Sequence, residues 1–417
     1  MKKLIKDYVS VIFGMGLSRG ISFATFLMLV RVLTIDGFGR FSMFFTVMML
    51  IWQLPNSVDA IYVRYVKAGK EAERVAYLRT ALIMKLWTLL FVCISAYPLG
   101  RLLCEFFFQK PDMTAFVSLA IVSGGFLSIF SSLSGIFQAE EKFVMYSIIN
   151  IVFYAVLFLS VGWFFARDIA LSLLDVTLMF GVVAVTVGIG AGTYLLVKVR
   201  TQSEPGNAHF RVMFDFGKWI FAETLVYVIL QRLDILFLAR FAAYPQIGIY
   251  SAAVRIAMIA SIMTSAATAI FMPRGCGSLR SDSHLRKYFK EASAVTAVLC
   301  AMIAVLMSCT PVLVHRLFGY EYAAAIPAAR ILLLEAIFVL LYTPFSFLFY
   351  AGGQTKKVFA VGLVRLSVMI TGLSVLVPRF GPTGASLAIA VSSFSGLAAA
   401  CAMSARILKP LWGKKNG

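Results

Sequence analysis

The sequence predicts an all-α integral membrane protein, with twelve transmembrane helices in two pseudo-symmetric six-helix bundles around a central cavity. Three observations carry that prediction. Of 417 residues, 61% are apolar and only 14% charged, where a soluble domain carries about 25% charged residues. Mean hydropathy is +0.90. Apolar stretches near the length of about 20 residues that crosses hydrocarbon recur twelve times, and the turn after the first is echoed 209 residues later.

The first run, 8–33, follows MKKLIK and imitates a secretory signal. No small-residue cleavage site follows, Arg19 interrupts the run, and it is too long for a signal's apolar core. It reads as a retained helix. The next five runs, 41–63, 79–103, 113–138, 143–166 and 171–197, are each bounded by charge, Gly or Pro. The sixth carries Gly181, Gly188, Gly190 and Gly192, which suit close helix packing. A polar stretch precedes the second set: 213–239, 247–273, 289–313, 325–351, 357–378 and 383–407. The domains are therefore an N-terminal bundle, 1–198, a cytoplasmic linker, 199–212, and a C-terminal bundle, 213–417, ending in a short basic tail. No loop is long enough to fold by itself.

Orientation follows from the basic residues. Lys and Arg outnumber Asp and Glu by 38 to 19, a net charge of +19. In a soluble chain that excess points to nucleic acid; here it obeys the positive-inside rule, and no nucleic-acid partner is expected. Both tails and the even-numbered connections hold 24 of the 38, the opposite face 8, and the spans 6. Both termini are expected in the cytoplasm. Six cysteines show neither CxxC nor metal-ligand spacing, and Cys93, Cys300, Cys309 and Cys401 fall inside apolar runs as small hydrophobes. No disulfide, metal or cofactor is expected. His209, His284 and His315 lie in or beside loops, which disfavours a histidine relay. Tyr8, Trp52, Trp163 and Trp219 suit membrane interfaces.

The echo sets LVRVLTIDGFGRFS (29–42) against LARFAAYPQIGIYS (238–251), so that Arg31 meets Arg240, Gly39 Gly248, Phe41 Tyr250 and Ser42 Ser251. A weaker one sets GIFQAEEK (135–142) against FLFYAGGQ (347–354), after the fourth helix of each half. Six crossings return the chain to its starting side, so the halves form parallel repeats, the arrangement of secondary transporters.

The stretch from Arg31–Val32–Leu33 to Phe38–Gly39–Arg40–Phe41 resembles the RxL…FGxY turn of polysaccharide repeat-unit flippases. FDFGKWIFAETLVYVILQRLDILFLARF (214–241), IGIYSAAVRI (247–256) and GPTGASLAIA (381–390) resemble their seventh, eighth and last helices. These flippases belong to the superfamily of multidrug-extruding antiporters and the lipid II flippase, and twelve spans rather than fourteen disfavour the lipid II branch. The resemblance implies a non-enzymatic protein of the bacterial inner membrane. It would turn a polyprenyl-pyrophosphate-linked oligosaccharide from the cytoplasmic to the outer leaflet by alternating access, for O-antigen, capsule or exopolysaccharide synthesis. Membrane lipids, a polysaccharide polymerase and chain-length proteins are the implied partners. Coupling to H⁺ or Na⁺ stays open.

Ionisable side chains inside spans are costly, about 2.5–3.5 kcal/mol each on insertion scales, and default to functional candidates. Arg19, Arg255, Arg232, Lys85 and Arg365 are candidates for a cationic lining that receives pyrophosphate and sugar. Lys85 and Arg365 could instead snorkel to the interface, and Arg330 reads as an end anchor. Asp234, Glu223, Glu335 and Asp59 are candidates for ion coupling or for structural ion pairs. Asp234 matches the family's recurring seventh-helix aspartate. Arg232 and Asp234, two residues apart, point away from each other on a helix and cannot pair. A membrane polymerase is disfavoured by the short loops. A cation-coupled multidrug antiporter wants an acidic cavity, whereas six basic residues here face four acidic ones within the spans.

Overall fold

The computed structural model describes residues 2–59, 62, 71–167, 171–201, 210–278, 282–351 and 354–412. Within them the chain is helical, with no strand. That is what hydrocarbon demands, because a helix satisfies its own backbone polar groups where water cannot. The helices are α1 (Lys2–Val32), α2 (Ile35–Gln53), α3 (Glu71–Leu102), α4 (Thr114–Ala139), α5 (Phe143–Ala166) and α6 (Leu173–Thr201). There follow α7 (Phe210–Phe241), α8 (Tyr244–Ser278), α9 (Asp282–Leu317), α10 (Ala325–Ala351) and α11 (Thr355–Trp412).

One correction to the expected spans has a local cause. The run 41–63 is not one rod. Pro55 has no N–H to continue the ladder, so the helix breaks at Leu54–Pro55 and resumes over 56–59. The last two expected spans are separated at Gly381, whose φ of 53° and ψ of −127° a residue with a Cβ rarely adopts, and the stretches on either side fold back on one another, with Ser392 Oγ donating to the Arg365 carbonyl. Among the described residues, nine segments are long and apolar enough to cross a membrane, and one of these, Lys356–Ala405, has the length of two spans.

The outward faces are apolar. Trp87, Phe91 and Ile94 on α3 form an exposed stripe of helical spacing, at 67%, 70% and 71%. Val298, Met302, Val305 and Val312 repeat the pattern on α9. Such stripes have no place on a water-soluble helix and belong against lipid.

The chain divides into two compact units, Met1–Arg232 and Leu233–Gly417, with the division inside α7. In the first, α4 is central, packed against α2, α3, α5 and α6. In the second, α10 is central, packed against α8, α9 and α11. The turns that suggested a repeat share their hydrogen bonding. In the first unit Leu33 N–H donates to Leu29 O (2.9 Å) and Phe38 N–H to Thr34 O (2.8 Å); 209 residues on, Ala242 donates to Leu238 O (2.8 Å) and Ile247 to Ala243 O (3.2 Å). After the central helices, Lys142 N–H donates to Phe137 O and Gln354 N–H to Phe349 O, each at 2.8 Å. This six-to-one bond is the mark of a Schellman-type helix end.

Candidate functional site

The first unit buries an ion pair between Asp59 and Lys85. The break at Pro55 redirects the turn carrying Asn56 and Asp59, and Asp59 there meets Lys85 of α3. The Lys85 ammonium donates to Asp59 Oδ2 at 2.6 Å and to the Ser128 carbonyl at 2.7 Å. Ser131 Oγ lies 3.4 Å from the same ammonium and donates to Asn56 Oδ1 at 2.8 Å. The Lys85 side chain is 1% exposed. It therefore neither snorkels nor offers its charge to a cationic lining: its donors are committed to α4 and to Asp59. A buried pair of this kind contributes little net stability, since desolvation offsets attraction, but removing one partner costs about 3–5 kcal/mol. Asn56, Asp59 and Ser131 border a cavity of about 460 Å³ within this unit.

In the second unit, Asp234 and Glu335 each accept from a hydroxyl inside the helices. Asp234, on α7, is 7% exposed and accepts from the hydroxyl of Tyr250, wholly buried on α8, at 2.6 Å. Glu335 of α10 accepts from Ser393 Oγ at 2.6 Å. Arg365 donates to the same hydroxyl at 2.9 Å and stands 3.9 Å from Glu335. Ser392 donates to the Arg365 carbonyl at 2.7 Å, so α10 and both stretches of α11 meet here. Gly396 makes the meeting possible, because a Cβ there would stand 2.6 Å from Arg365 Cγ and Cδ. Arg365 thus enters a carboxylate–hydroxyl–guanidinium chain instead of reaching for an interface.

The remaining candidates are placed but not gathered. Arg19 is half-buried on α1 and belongs to the first unit; Arg255 is 9% exposed on α8, in the second. Arg255 Nη1 lies 3.3 Å from Met258 Sδ, one turn along. Arg232 is half-buried on α7, next to the division between units. The Glu223 side chain lies outside the described residues, although its backbone is part of α7. Arg330 is exposed, with Nε 3.4 Å from the Met307 carbonyl. Sequence reasoning missed Tyr250, Ser393, Asn56 and Ser131. Tyr250 alone carried a signal, as the hydroxyl-bearing partner of Phe41 in the echo. No group of three or more His, Cys, Asp or Glu suited to a metal ion occurs among the described residues.

Residues 4–274 match the family model described as "Polysaccharide biosynthesis protein". A search of curated proteins found no match. Among solved structures, the chain resembles the lipid II flippase MurJ in an inward closed conformation: TM-score 0.76, 14% identity, 97% of this chain and 89% of that one covered. It also resembles a multidrug resistance MATE family transporter of the MOP superfamily in an inward-facing conformation, with TM-score 0.69, 14% identity and coverage of 97% and 100%. A MOP superfamily transporter from Pyrococcus furiosus, described by the reverse polarity of its binding pocket, follows at TM-score 0.63, 16% identity and coverage of 97% and 95%. At such identities the likeness establishes a fold: that of multi-pass membrane transporters.

Proposed function

The chain belongs to the polysaccharide biosynthesis protein family, and on that premise we propose that it turns a polyprenyl-pyrophosphate-linked oligosaccharide from the cytoplasmic to the outer leaflet of the bacterial inner membrane. The repeat unit would serve a surface polysaccharide such as O-antigen, capsule or exopolysaccharide. A pyrophosphate and its sugars cannot cross hydrocarbon alone, because an unpaired charge in an apolar medium costs many kcal/mol. The protein must lend compensating charge inside its helices. The observation that carries the reading is the surplus of such charge. Away from the span ends, the basic residues Arg19, Lys85, Arg232, Arg255, Arg330 and Arg365 outnumber the acidic Asp59, Glu223, Asp234 and Glu335. An anionic head group suits that balance better than a cationic drug. The structural neighbour named a lipid II flippase makes a lipid-linked glycan a cargo this fold accommodates.

Deletion of the gene, followed by glycan staining and a leaflet assay of the lipid-linked intermediate, tests the proposal. The expected outcome is loss of the surface glycan, with repeat units retained on the cytoplasmic side. A deletion strain that keeps its glycan and gains sensitivity to cationic dyes would overturn it in favour of an antiporter. At residue level, Arg19→Ala and Arg255→Ala should each reduce export strongly at normal protein abundance, and Arg330→Ala only mildly. Arg→Lys at the first two should restore little where the planar, bidentate fork is what grips phosphate.

A further inference from the structure

The cavity beside Asp59 is chemically unlike the charged clusters, and we infer that it is a subsite for a neutral sugar ring. Its volume of about 460 Å³ falls within the range of about 300–1,000 Å³ typical of small-molecule pockets. Among the described residues, none that lines it is basic, and its one acid, Asp59, is already matched by Lys85. The described walls are therefore neutral overall. They would not select a pyrophosphate, and they lack the unmatched acid that would select a cationic drug.

What the walls offer instead is aromatic faces and carboxamides. Trp52, Phe130 and Tyr146 line the cavity. Phe153 behind them is 1% exposed and holds Trp52 and Phe130 at centroid distances of 6.1 and 6.2 Å. The aromatic wall is thus fixed before a guest arrives, which lowers the entropic cost of binding. Opposite in character are Asn56, Asn150 and Gln138. Each carboxamide can donate and accept at once, and so can address two neighbouring hydroxyls of one ring. Asn150 is oriented by its own bond from Nδ2 to the Tyr146 carbonyl at 2.7 Å. An apolar face for the C–H side of a pyranose, with amides at the hydroxyl edge, is recognition chemistry for an uncharged hexose. It is not the chemistry of phosphate or of a hydrocarbon tail.

The inference rests on the proposed function only in taking the cargo to be a glycan, and the test separates the two. Saturation-transfer NMR on the full-length protein in detergent would use glucose, galactose and N-acetylglucosamine as probes. Transfer to ring protons is expected from at least one, with excess inorganic pyrophosphate failing to compete. Trp52→Ala and Asn150→Ala should each weaken binding about tenfold, equivalent to about 1.4 kcal/mol, with Trp52→Phe intermediate. The variants' elution profiles and melting temperatures would show that they fold; if Trp52→Ala does not, Trp52→Phe and Asn150→Ala decide. Absence of transfer from all three sugars to the folded wild-type protein would overturn the subsite. So would transfer unchanged in the folded variants, or displacement by pyrophosphate. Glycan export intact in cells alongside such a negative result would sink the subsite and leave the flippase. Sugar binding in a protein whose deletion spares the glycan would support the subsite and sink the flippase.

Discussion

The turn between the first two helices of each unit has the same backbone hydrogen bonds, and almost nothing else in common. In the first unit, Thr34 caps α2 by accepting from Gly37 N–H at 3.1 Å, and Arg40 holds Asp36 at 2.8 Å and Asp112 at 2.5 Å. In the second, the equivalent residues are Ala243, Ile249 and Pro245. The proline needs no partner for an N–H it lacks, so it opens α8 without a cap or an ion pair. Phe41 and Tyr250, each wholly buried, differ by one hydroxyl. Phe41 sits among Phe26, Phe44, Phe45 and Phe180, and Tyr250 donates to Asp234. The residue at the place of Asp234 in the first unit is Thr25, whose hydroxyl turns back to the Ile21 carbonyl at 2.9 Å. Backbone geometry is thus common to the halves, while buried charge is local to each.

The largest effect that would sharpen this contrast is at the first unit's ion pair. Lys85→Ala or Asp59→Ala should each cost about 3–5 kcal/mol, because the survivor is left buried and uncompensated. Lys85→Met combined with Asp59→Leu should recover most of that. Melting of the purified protein, with cellular abundance beside it, measures both. Single variants of wild-type stability would mean that the pair is solvated, contrary to the 1% exposure of Lys85.

Tyr250→Phe converts the second unit's buried position into the first unit's, but it leaves Asp234 without that donor. A loss of about 1–3 kcal/mol is expected. Tyr250→Phe with Asp234→Thr copies the first unit at both places and should recover stability. If the double variant instead loses more than the single, the equivalence drawn from the echo is wrong.

How much of this was legible beforehand follows the same division between backbone and side chain. Hydropathy located nearly every helix, because each must carry its own apolar surface. The one misread span turned on a single residue, Pro55, whose effect is a local break that leaves the composition of the run unchanged. The pairing of Lys85 with Asp59 joins residues 26 apart on different helices, and no periodicity on either helix specifies such a partner. Gly396 reads as one more small residue until the Arg365 stem is seen crossing it. Asp234 was visible as a charge in an apolar run, but its donor Tyr250 lies beyond an intervening turn. The sequence marked where charges are expensive, and the fold decided what compensates them.

A smaller effect is expected at the cap. Thr34→Ala removes the side-chain acceptor for Gly37 and should cost about 1 kcal/mol, read as a small drop in melting temperature. The second unit already has Ala243 at this place, so Ala243→Gly should not reproduce a cap loss. Equal penalties at the two positions would show that the first turn gains nothing from Thr34.

The smallest effect concerns the turn after the central helix, charged in the first unit as EEK and uncharged in the second as GGQ. Glu140, just past the end of α4, pairs with Lys142 at 2.8 Å and with Lys198 of α6. Partial burial pushes its carboxyl up, yet hydrogen bonds and charge from Lys142 and Lys198 outweigh that and hold it below its ordinary value near 4.5. A folded-state value below the unfolded one means that the interaction stabilises fully at neutral pH. Its contribution then fades as pH falls through the folded value, where the carboxylate takes up its proton. Glu140→Gln should therefore melt slightly below wild type at pH 7, and the gap should close once the pH has fallen below the folded value, where the glutamate too is neutral. Comparing the pair at each pH cancels the titration of every other carboxylate. A gap that persists unchanged into acid would show that the amide disturbs the turn by its shape and that charge adds nothing there. A carboxylate placed in the second unit's turn, as Gln354→Glu two residues before Lys356 and three before Lys357, should make that turn acid-sensitive in the same direction.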